Sequence, residues 1–222
     1  MGYFTSDNFK QALALYFERL PDAALVTFYV TLIAVVVGMV LGLLLVLARM
    51  SARRWLMRLA EGLTAILRTI PAPPFLLLVY FGWIATIGRV EPAVIGAVAI
   101  GILVTPYMSE IYRSGIQSVR NGHVEAGLAL GMSHGLVRRR IVLPIALRLM
   151  LPAIGAQIIV TLLNSSFVAI MGGKDLTGMS RNLIYSYFTS ELWFIVAATY
   201  FAVAYPMSRI LAWLERRLSF QQ

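Results

Sequence analysis

The stretch AALVTFYVTLIAVVVGMVLGLLLVLA, residues 23–48, carries no charged side chain and decides the fold class. A helix of that length rises about 39 Å, which exceeds the roughly 30 Å of a bilayer's hydrocarbon core. Four more uncharged runs follow, and the chain is therefore predicted to be an all-α integral membrane protein. The predicted spans are Ala23–Ala48, Thr69–Gly88, Pro92–Ser109, Leu149–Gly173 and Leu192–Ser208. We expect the second to begin upstream near Gly62 and the fourth near Ile141.

The composition of the whole chain agrees with a membrane protein. Hydrophobic residues make up 59% of the chain and charged residues 13%, with a mean hydropathy of +0.80. Soluble domains are about 45–50% apolar and about 25% charged, so a soluble enzyme is excluded. The absence of cysteine excludes disulfides and thiolate chemistry. The net charge of +9 lies mostly in short segments beside the apolar runs, which favours membrane topology over nucleic acid binding.

The basic residues predict which way the spans face. Of 19 lysines and arginines, twelve fall on one side of the membrane and five on the other. Because cytoplasmic loops carry the excess of positive charge, the N-terminus is predicted outside and the C-terminus in the cytoplasm. No long polar linker interrupts the sequence, so residues 1–222 are predicted to form one membrane domain.

Residues 1–21 precede the first span and have a pattern of their own. Apolar side chains recur there at helical spacing: Phe9, Leu13, Tyr16, Phe17 and Leu20. Two interpretations fit, an interfacial helix lying on the membrane or a helix packed on neighbouring spans. We take the interfacial helix as the prediction.

The longest predicted cytoplasmic segment is residues 111–144. Residues 125–130 favour a helix, Gly131 is a natural helix stop, and Ser133 can cap a second short helix ending in three arginines. Small residues on the first helix leave one face able to approach another surface closely. An arginine-bearing loop lying on anionic lipid is an alternative, but it does not account for the distances of Gly131 and Pro144 from Glu125.

The spacing of this segment carries a resemblance to a known family. The segment contains Glu125-Ala126-Gly127, then Gly131 after three residues, and Ile141-Val142-Leu143-Pro144 after nine more. This spacing resembles the EAA loop in permease subunits of bacterial ATP-binding-cassette (ABC) importers. Gly127 replaces the second alanine of that motif. In that family the loop forms a coupling helix that docks into a groove of the cytoplasmic ATPase. The residues to which the resemblance gives a coupling role are Glu125, Ala126, Gly127, Gly131, Met132, Ser133, His134, Arg138 and Pro144.

The resemblance also implies the fold, the partners and the location. It implies a type I ABC importer permease in the bacterial inner membrane. The expected partners are a dimer of ABC ATP-binding subunits, a second identical or homologous permease, an extracytoplasmic solute-binding protein and membrane lipid, with no nucleic acid. ATP and Mg would be bound by the ATPase partner, so this chain is expected to hold no cofactor or metal and to be no enzyme.

Other stretches are similar to the polar amino acid branch of that family. Residues 67–71, followed by Tyr80-Phe81-Gly82, resemble its Arg-Gly-Thr-Pro stretch leading to Tyr-Phe-Gly. Residues 107–118 resemble its Tyr-x-x-Glu-x-x-Arg-Gly-Gly-Ile segment, and residues 163–167 take the place of Lys-Asp-Thr-Ser-Leu. The resemblance implies import of polar amino acids or related small zwitterions.

The sequence departs from the branch at three positions. His123 and Ile145 stand where glutamines are usual, and Leu163 replaces the lysine. If that lysine shapes the translocation path, the substrate of this chain differs from that of the commonest members.

Polar groups inside apolar spans are costly, so they are candidates for the substrate path. These candidates are Arg68, Thr69, Glu110, Asn164, Ser165 and Ser166. Arg68 precedes a proline-rich turn and could bind a substrate carboxylate, or it could pair with Glu61 or reach the cytoplasmic interface. Glu110 could instead pair with Arg113, one helical turn away. Residues 164–166 could equally bond between helices.

Other chemistry is excluded by the sequence. Gly131-Met132-Ser133-His134-Gly135 matches the Gly-x-Ser-x-Gly pattern of hydrolases, but a predicted helix precedes it where that elbow needs a strand. The phosphate-binding loop of ATPases is missing, which places ATP hydrolysis on another subunit. A stand-alone channel or secondary carrier that bears an EAA-like loop is the alternative function.

Overall fold

The computed structural model describes residues 7–119 and 121–218, whose regular elements are all helical. The α-helices are α1 (Asp7–Arg49), α2 (Arg54–Thr69), α3 (Ala72–Thr86), α4 (Pro92–Gln117), α5 (Asn121–Ala129), α6 (His134–Val137), α7 (Leu143–Asn164), α8 (Leu176–Tyr187) and α9 (Leu192–Leu218). A π turn, Arg138–Val142, joins α6 to α7, and a 3₁₀ segment, Ser165–Met171, follows α7. Within these two described ranges, four helical runs are long and apolar enough to cross a membrane, and the bent pair α2–α3 makes a fifth if counted as one span.

Helices α1 and α4 form the centre of the fold because glycines let their backbones approach closely. A Cβ atom on Gly38 would lie 2.5 Å from Cγ1 of Val104, and one on Gly42 would lie 2.6 Å from Cβ of Met108. Gly101 faces Val37 in the same way, at 2.6 Å. Without a hydrophobic force between helices in lipid, such close packing supplies much of their association. Helices α3 and α7 and the 3₁₀ segment pack around this pair.

The N-terminal region departs from the prediction. A separate interfacial helix over residues 1–21 is wrong for residues 7–21, which are the first turns of α1; residues 1–6 lie outside the described part. Tyr16 is fully buried, and its hydroxyl lies 2.7 Å from Oγ1 of Thr199 on α9. Pro21 inside this helix costs about 3 kcal/mol, which the burial of residues on both sides of it, Tyr16 and Ala23, offsets. Packing on neighbouring helices is therefore the arrangement found.

The second predicted span is broken. Helix α2 ends at Thr69 and α3 begins at Ala72 with a bend of 105°, so the predicted start near Gly62 falls inside α2. Prolines 71, 73 and 74 lack the N–H groups that would continue the helical ladder across this point. The fourth span begins close to its predicted start, since α7 starts at Leu143 within a helical run that covers residues 134–171.

Candidate coupling loop and translocation cavity

The turn between α5 and α6 has the geometry that the sequence predicts. Gly131 has φ +78°, a left-handed conformation that glycine adopts without strain. The Gly131 N–H donates to the Leu128 carbonyl at 2.9 Å, and the Met132 N–H donates to the Gly127 carbonyl at 3.1 Å. Ser133 Oγ accepts the Leu136 N–H at 3.4 Å and caps α6. The predicted helix stop and helix cap are confirmed.

The inner face of α5 explains the glycine that replaces an alanine in the motif. A Cβ atom on Gly127 would lie 2.8 Å from Cδ1 of Ile141 and 3.0 Å from Cγ2 of Val137. Val137 is itself buried. Helix α5 therefore lies directly on α6 and the π turn, closer than an alanine would allow without a shift.

The outer face of the loop is exposed. Glu125, Ala126 and His134 point to solvent, and Leu130 is 84% exposed at the tip. Leu130 was missed by the sequence reasoning. No local signal marks it, because single exposed leucines are common on protein surfaces. Arg138, Arg139 and Arg140 are also exposed, at the start of the helical run that enters the membrane.

The π turn accommodates Pro144. Leu143 donates its N–H to the Arg138 carbonyl, five residues earlier, which is the widened π pattern. In an ordinary α-helix the N–H of residue 144 would donate to the carbonyl of residue 140, but proline has no N–H to donate. The proline of the motif thus coincides with the point where the loop joins α7.

A cavity of about 240 Å³ lies between α2, α4 and α7. Its walls are mainly apolar, with polar groups from Tyr107, Gln157 and Asn164. The complete lining is Leu67, Ile70, Ala72, Ile100, Leu103, Val104, Tyr107, Gln157, Val160, Asn164 and Phe167. Tyr107 and Gln157 were not predicted. Gln157 could have been found, because it lies seven residues before Asn164 and therefore on the same face of the helix.

Arg68 adjoins this cavity at the break between α2 and α3. Its Cζ lies 5.4 Å from the centroid of the Tyr107 ring, a cation–π contact. In the part of the chain that the structure describes, Arg68 makes no ion pair, and the alternative pairing with Glu61 is not found. Thr69 is beside it, but its hydroxyl donates to the Ala65 and Ile66 carbonyls, both at 3.0 Å.

The polar cluster at the end of α7 divides into two kinds of residue. Asn164 lines the cavity. The hydroxyls of Ser165 and Ser166 donate to the carbonyls of Leu162 and Leu163, at 2.6 and 2.7 Å. These serine contacts satisfy polar groups in an apolar region and fit the helix-bonding alternative.

Glu110 is not part of the cavity lining. Its carboxylate accepts hydrogen bonds from Arg113 at 2.6 Å and from Arg49 at 2.8 Å. The predicted alternative, pairing with Arg113, is confirmed. Arg49 was not predicted as a partner, because it ends α1, 61 residues earlier in the chain. The Arg49–Glu110 ion pair joins the end of α1 to α4, and the Arg113–Glu110 pair lies within α4.

Comparison with known proteins identifies the family. The family model described as binding-protein-dependent transport system inner membrane component matches residues 34–220. The chain belongs to this family. The relationship predicted from the loop spacing is thereby confirmed.

Two relatives of this transport component are permease proteins. This chain is 31% identical over 210 residues to the nopaline transport system permease protein NocM of Agrobacterium fabrum, and the match covers 90% of this chain and 87% of NocM. It is 29% identical over 208 residues to the histidine/lysine/arginine/ornithine transport system permease protein HisQ of Escherichia coli, covering 88% of this chain and 91% of HisQ.

A solved structure agrees with the fold of this transport component. The crystal structure of an amino acid ABC transporter with histidines matches at a TM-score of 0.87 and 31% identity. The match covers 96% of this chain and 99% of that one. The expected type I ABC permease fold is confirmed.

Proposed function

We propose that this transport component is the permease subunit of an ABC importer for polar amino acids or related small zwitterions, driven by ATP hydrolysis on a separate subunit. The observation that carries the proposal is one helical run, residues 134–171, that joins the exposed coupling loop to the wall of the cavity. The relatives support the substrate class, since NocM is named for nopaline and HisQ for histidine, lysine, arginine and ornithine.

The coupling loop docks on the ATPase through its outer face. Leu130 enters an apolar groove of the ATPase, because an 84% exposed leucine at the tip of a turn gains most from burial there. Glu125 and His134 flank it and fix the orientation of the loop by hydrogen bonds. Gly131 and Ser133 shape the turn that presents Leu130, and Met132 is half-buried beneath it.

Movement passes from the loop to the cavity through the helical run. Gly127 holds α5 against Ile141 of the π turn, so α5 and the start of α7 move together. When the ATPase dimer closes on ATP, displacement of the loop moves α7 and with it Asn164 in the cavity wall. The cavity then opens to the outside, receives substrate from the binding protein, and returns after hydrolysis.

The substrate path runs through the cavity, with Asn164 and Arg68 as its polar contacts. Glu110 supports the path structurally, because its carboxylate is engaged by two ion pairs. The hydroxyls of Thr69, Ser165 and Ser166 also have a structural role, since they donate to backbone carbonyls of their own helical turns.

The assembly contains two permease chains, two ATPase subunits and an extracytoplasmic binding protein. Five spans enclose too little space for a path alone, so a second permease completes it. The N-terminus faces outside and the C-terminus the cytoplasm of a bacterial inner membrane. The exposed arginines 138–140 lie at the cytoplasmic surface, where they also meet anionic lipid headgroups.

Co-purification and crosslinking test this proposal. The chain has no cysteine, so Leu130→Cys introduces a single thiol at the tip of the loop. We expect mass spectrometry of the gently solubilised complex to find an ABC ATPase and a second permease, and the thiol to crosslink to the ATPase. A matched thiol at Leu78, which is 72% exposed on α3, should give no such crosslink. A chain that purifies alone and transports without ATP would contradict the proposal.

A further inference from the structure

The cavity is lined without a negative charge. Its polar side chains are a phenol and two carboxamides, from Tyr107, Gln157 and Asn164. All ten aspartates and glutamates of the chain fall within the described ranges, and none of them is in the lining. Glu110 is held away by Arg49 and Arg113.

A positive charge adjoins the same cavity. The guanidinium of Arg68 lies over Tyr107, next to Leu67 in the lining, and has no carboxylate partner among the described residues. A guanidinium binds a carboxylate through two parallel hydrogen bonds. Arg68 is therefore placed to receive the α-carboxylate of an amino acid.

The proline-rich break supplies acceptors for the α-ammonium group. In an α-helix each carbonyl accepts from the N–H four residues later, and prolines occupy that position for Leu67, Thr69 and Ile70. Leu67 and Ile70 belong to the cavity lining. These carbonyls can accept from an ammonium group.

From this charge pattern we propose that the cavity selects amino acids with an uncharged polar side chain over those with a cationic side chain. The inference rests on the proposed function and narrows its substrate class. The α-carboxylate and α-ammonium of a zwitterion are each matched by the groups described above. The two carboxamides remain for a neutral polar side chain.

A cationic side chain finds no such match. It would enter a cavity with no carboxylate to neutralise it, and burial of an unpaired charge is costly. It would also lie near the guanidinium of Arg68 beside the cavity, and two positive charges repel each other. The relatives do not decide the matter, because nopaline and the histidine/lysine/arginine/ornithine group differ in charge.

Citrulline and arginine are a suitable pair of probes, since they differ mainly in a neutral ureido group against a guanidinium. Radiolabelled binding to the permease–ATPase complex in nanodiscs, without the binding protein, measures the cavity itself. We expect arginine to bind at least about tenfold more weakly than citrulline. Asn164→Asp changes one amide to a carboxylate of the same shape. It should raise the affinity for arginine, relative to that for citrulline, by at least about tenfold.

Asn182→Asp is the matched control, because Asn182 is exposed on α8 and lies outside the cavity lining. It should leave the ratio of the two affinities unchanged. Gln157→Glu provides a second cavity carboxylate if Asn164→Asp does not purify as a monodisperse complex. Equal binding of the two probes, no binding of citrulline, or a ratio that neither cavity variant moves would overturn the inference. ATP-dependent amino acid uptake with the binding protein present would then still support the proposed function, and its absence would refute that function separately.

Discussion

Replacing Leu130 by alanine tests the docking face of the coupling loop. The change removes three carbon atoms from a side chain that is 84% exposed in this chain. At about 0.8 kcal/mol for each buried CH₂, their burial against the ATPase contributes about 2 kcal/mol for each loop. That difference corresponds to about 30-fold weaker binding of the ATPase subunit.

The permease itself should be unaffected by Leu130→Ala, because the leucine makes little contact within the chain. We expect unchanged membrane insertion and unchanged thermal stability of the solubilised protein. Titration of the ATPase against the purified permease, followed by ATP-dependent uptake in proteoliposomes, measures the effect. Leu130→Met keeps the apolar volume and should restore most of the affinity.

Leu78→Ala is the control for this prediction, since Leu78 is 72% exposed on α3, away from the coupling loop. It should leave the affinity for the ATPase unchanged. If Leu130→Ala bound the ATPase as tightly as the unmodified chain and coupled normally, the leucine would not lie in the interface. The assigned orientation of the loop would then be wrong.

Three further predictions concern the helices. Gly38→Val should prevent accumulation of folded protein in the membrane fraction, measured by immunoblot, because its Cβ would lie 2.5 Å from Cγ1 of Val104. Gly62→Val is the control and should accumulate normally, because the space around Gly62 is open. Glu110→Gln should lower the stability of the solubilised protein by about 1–3 kcal/mol, measured by thermal unfolding, because two arginines lose their carboxylate. Unchanged stability would show that the Arg49–Glu110 pair does not hold α1 to α4. Burial raises the pKa of Asp175, the cap of α8, to about 7. Because the folded protein binds this proton more tightly than the unfolded chain, the free energy of unfolding should fall as the pH rises from about 4 to about 7. Asp175→Asn should remove that dependence in unfolding measurements across this range, and a variant with the full pH dependence would contradict it.

The coupling loop could be predicted because its determinants are local. Gly131 stops α5 and Ser133 caps α6 through contacts within three residues. Gly127 could not be explained from the sequence, since its close neighbour Ile141 is brought to it only by the fold of the loop. Local chemistry therefore determined the turn, and tertiary packing determined the residue that departs from the motif.

The membrane helices were predicted less completely, because their boundaries and partners depend on tertiary packing. Charge-free runs show where spans lie, but the continuity of α1 through Pro21 depends on packing against α8 and α9. The contact of Arg49 with Glu110 joins residues 61 positions apart and leaves no local signal. Asn164 was found because a polar group in an apolar run is conspicuous, whereas Tyr107 looks like an ordinary aromatic residue until its neighbours are known.

The π turn at Arg138–Val142 has a consequence for chain length. Each residue in an α-helix turns the chain by about 100°, so one residue added or removed between the turn and Asn164 would rotate the coupling face relative to the cavity face by about that angle. A π turn is itself one extra residue wound into a helix. It sets the relative orientation of the surface proposed to meet the ATPase and the surface proposed to meet the solute. This helix can therefore accept substitutions along its lipid side, whereas an insertion or deletion would leave both sites intact and aimed in the wrong directions.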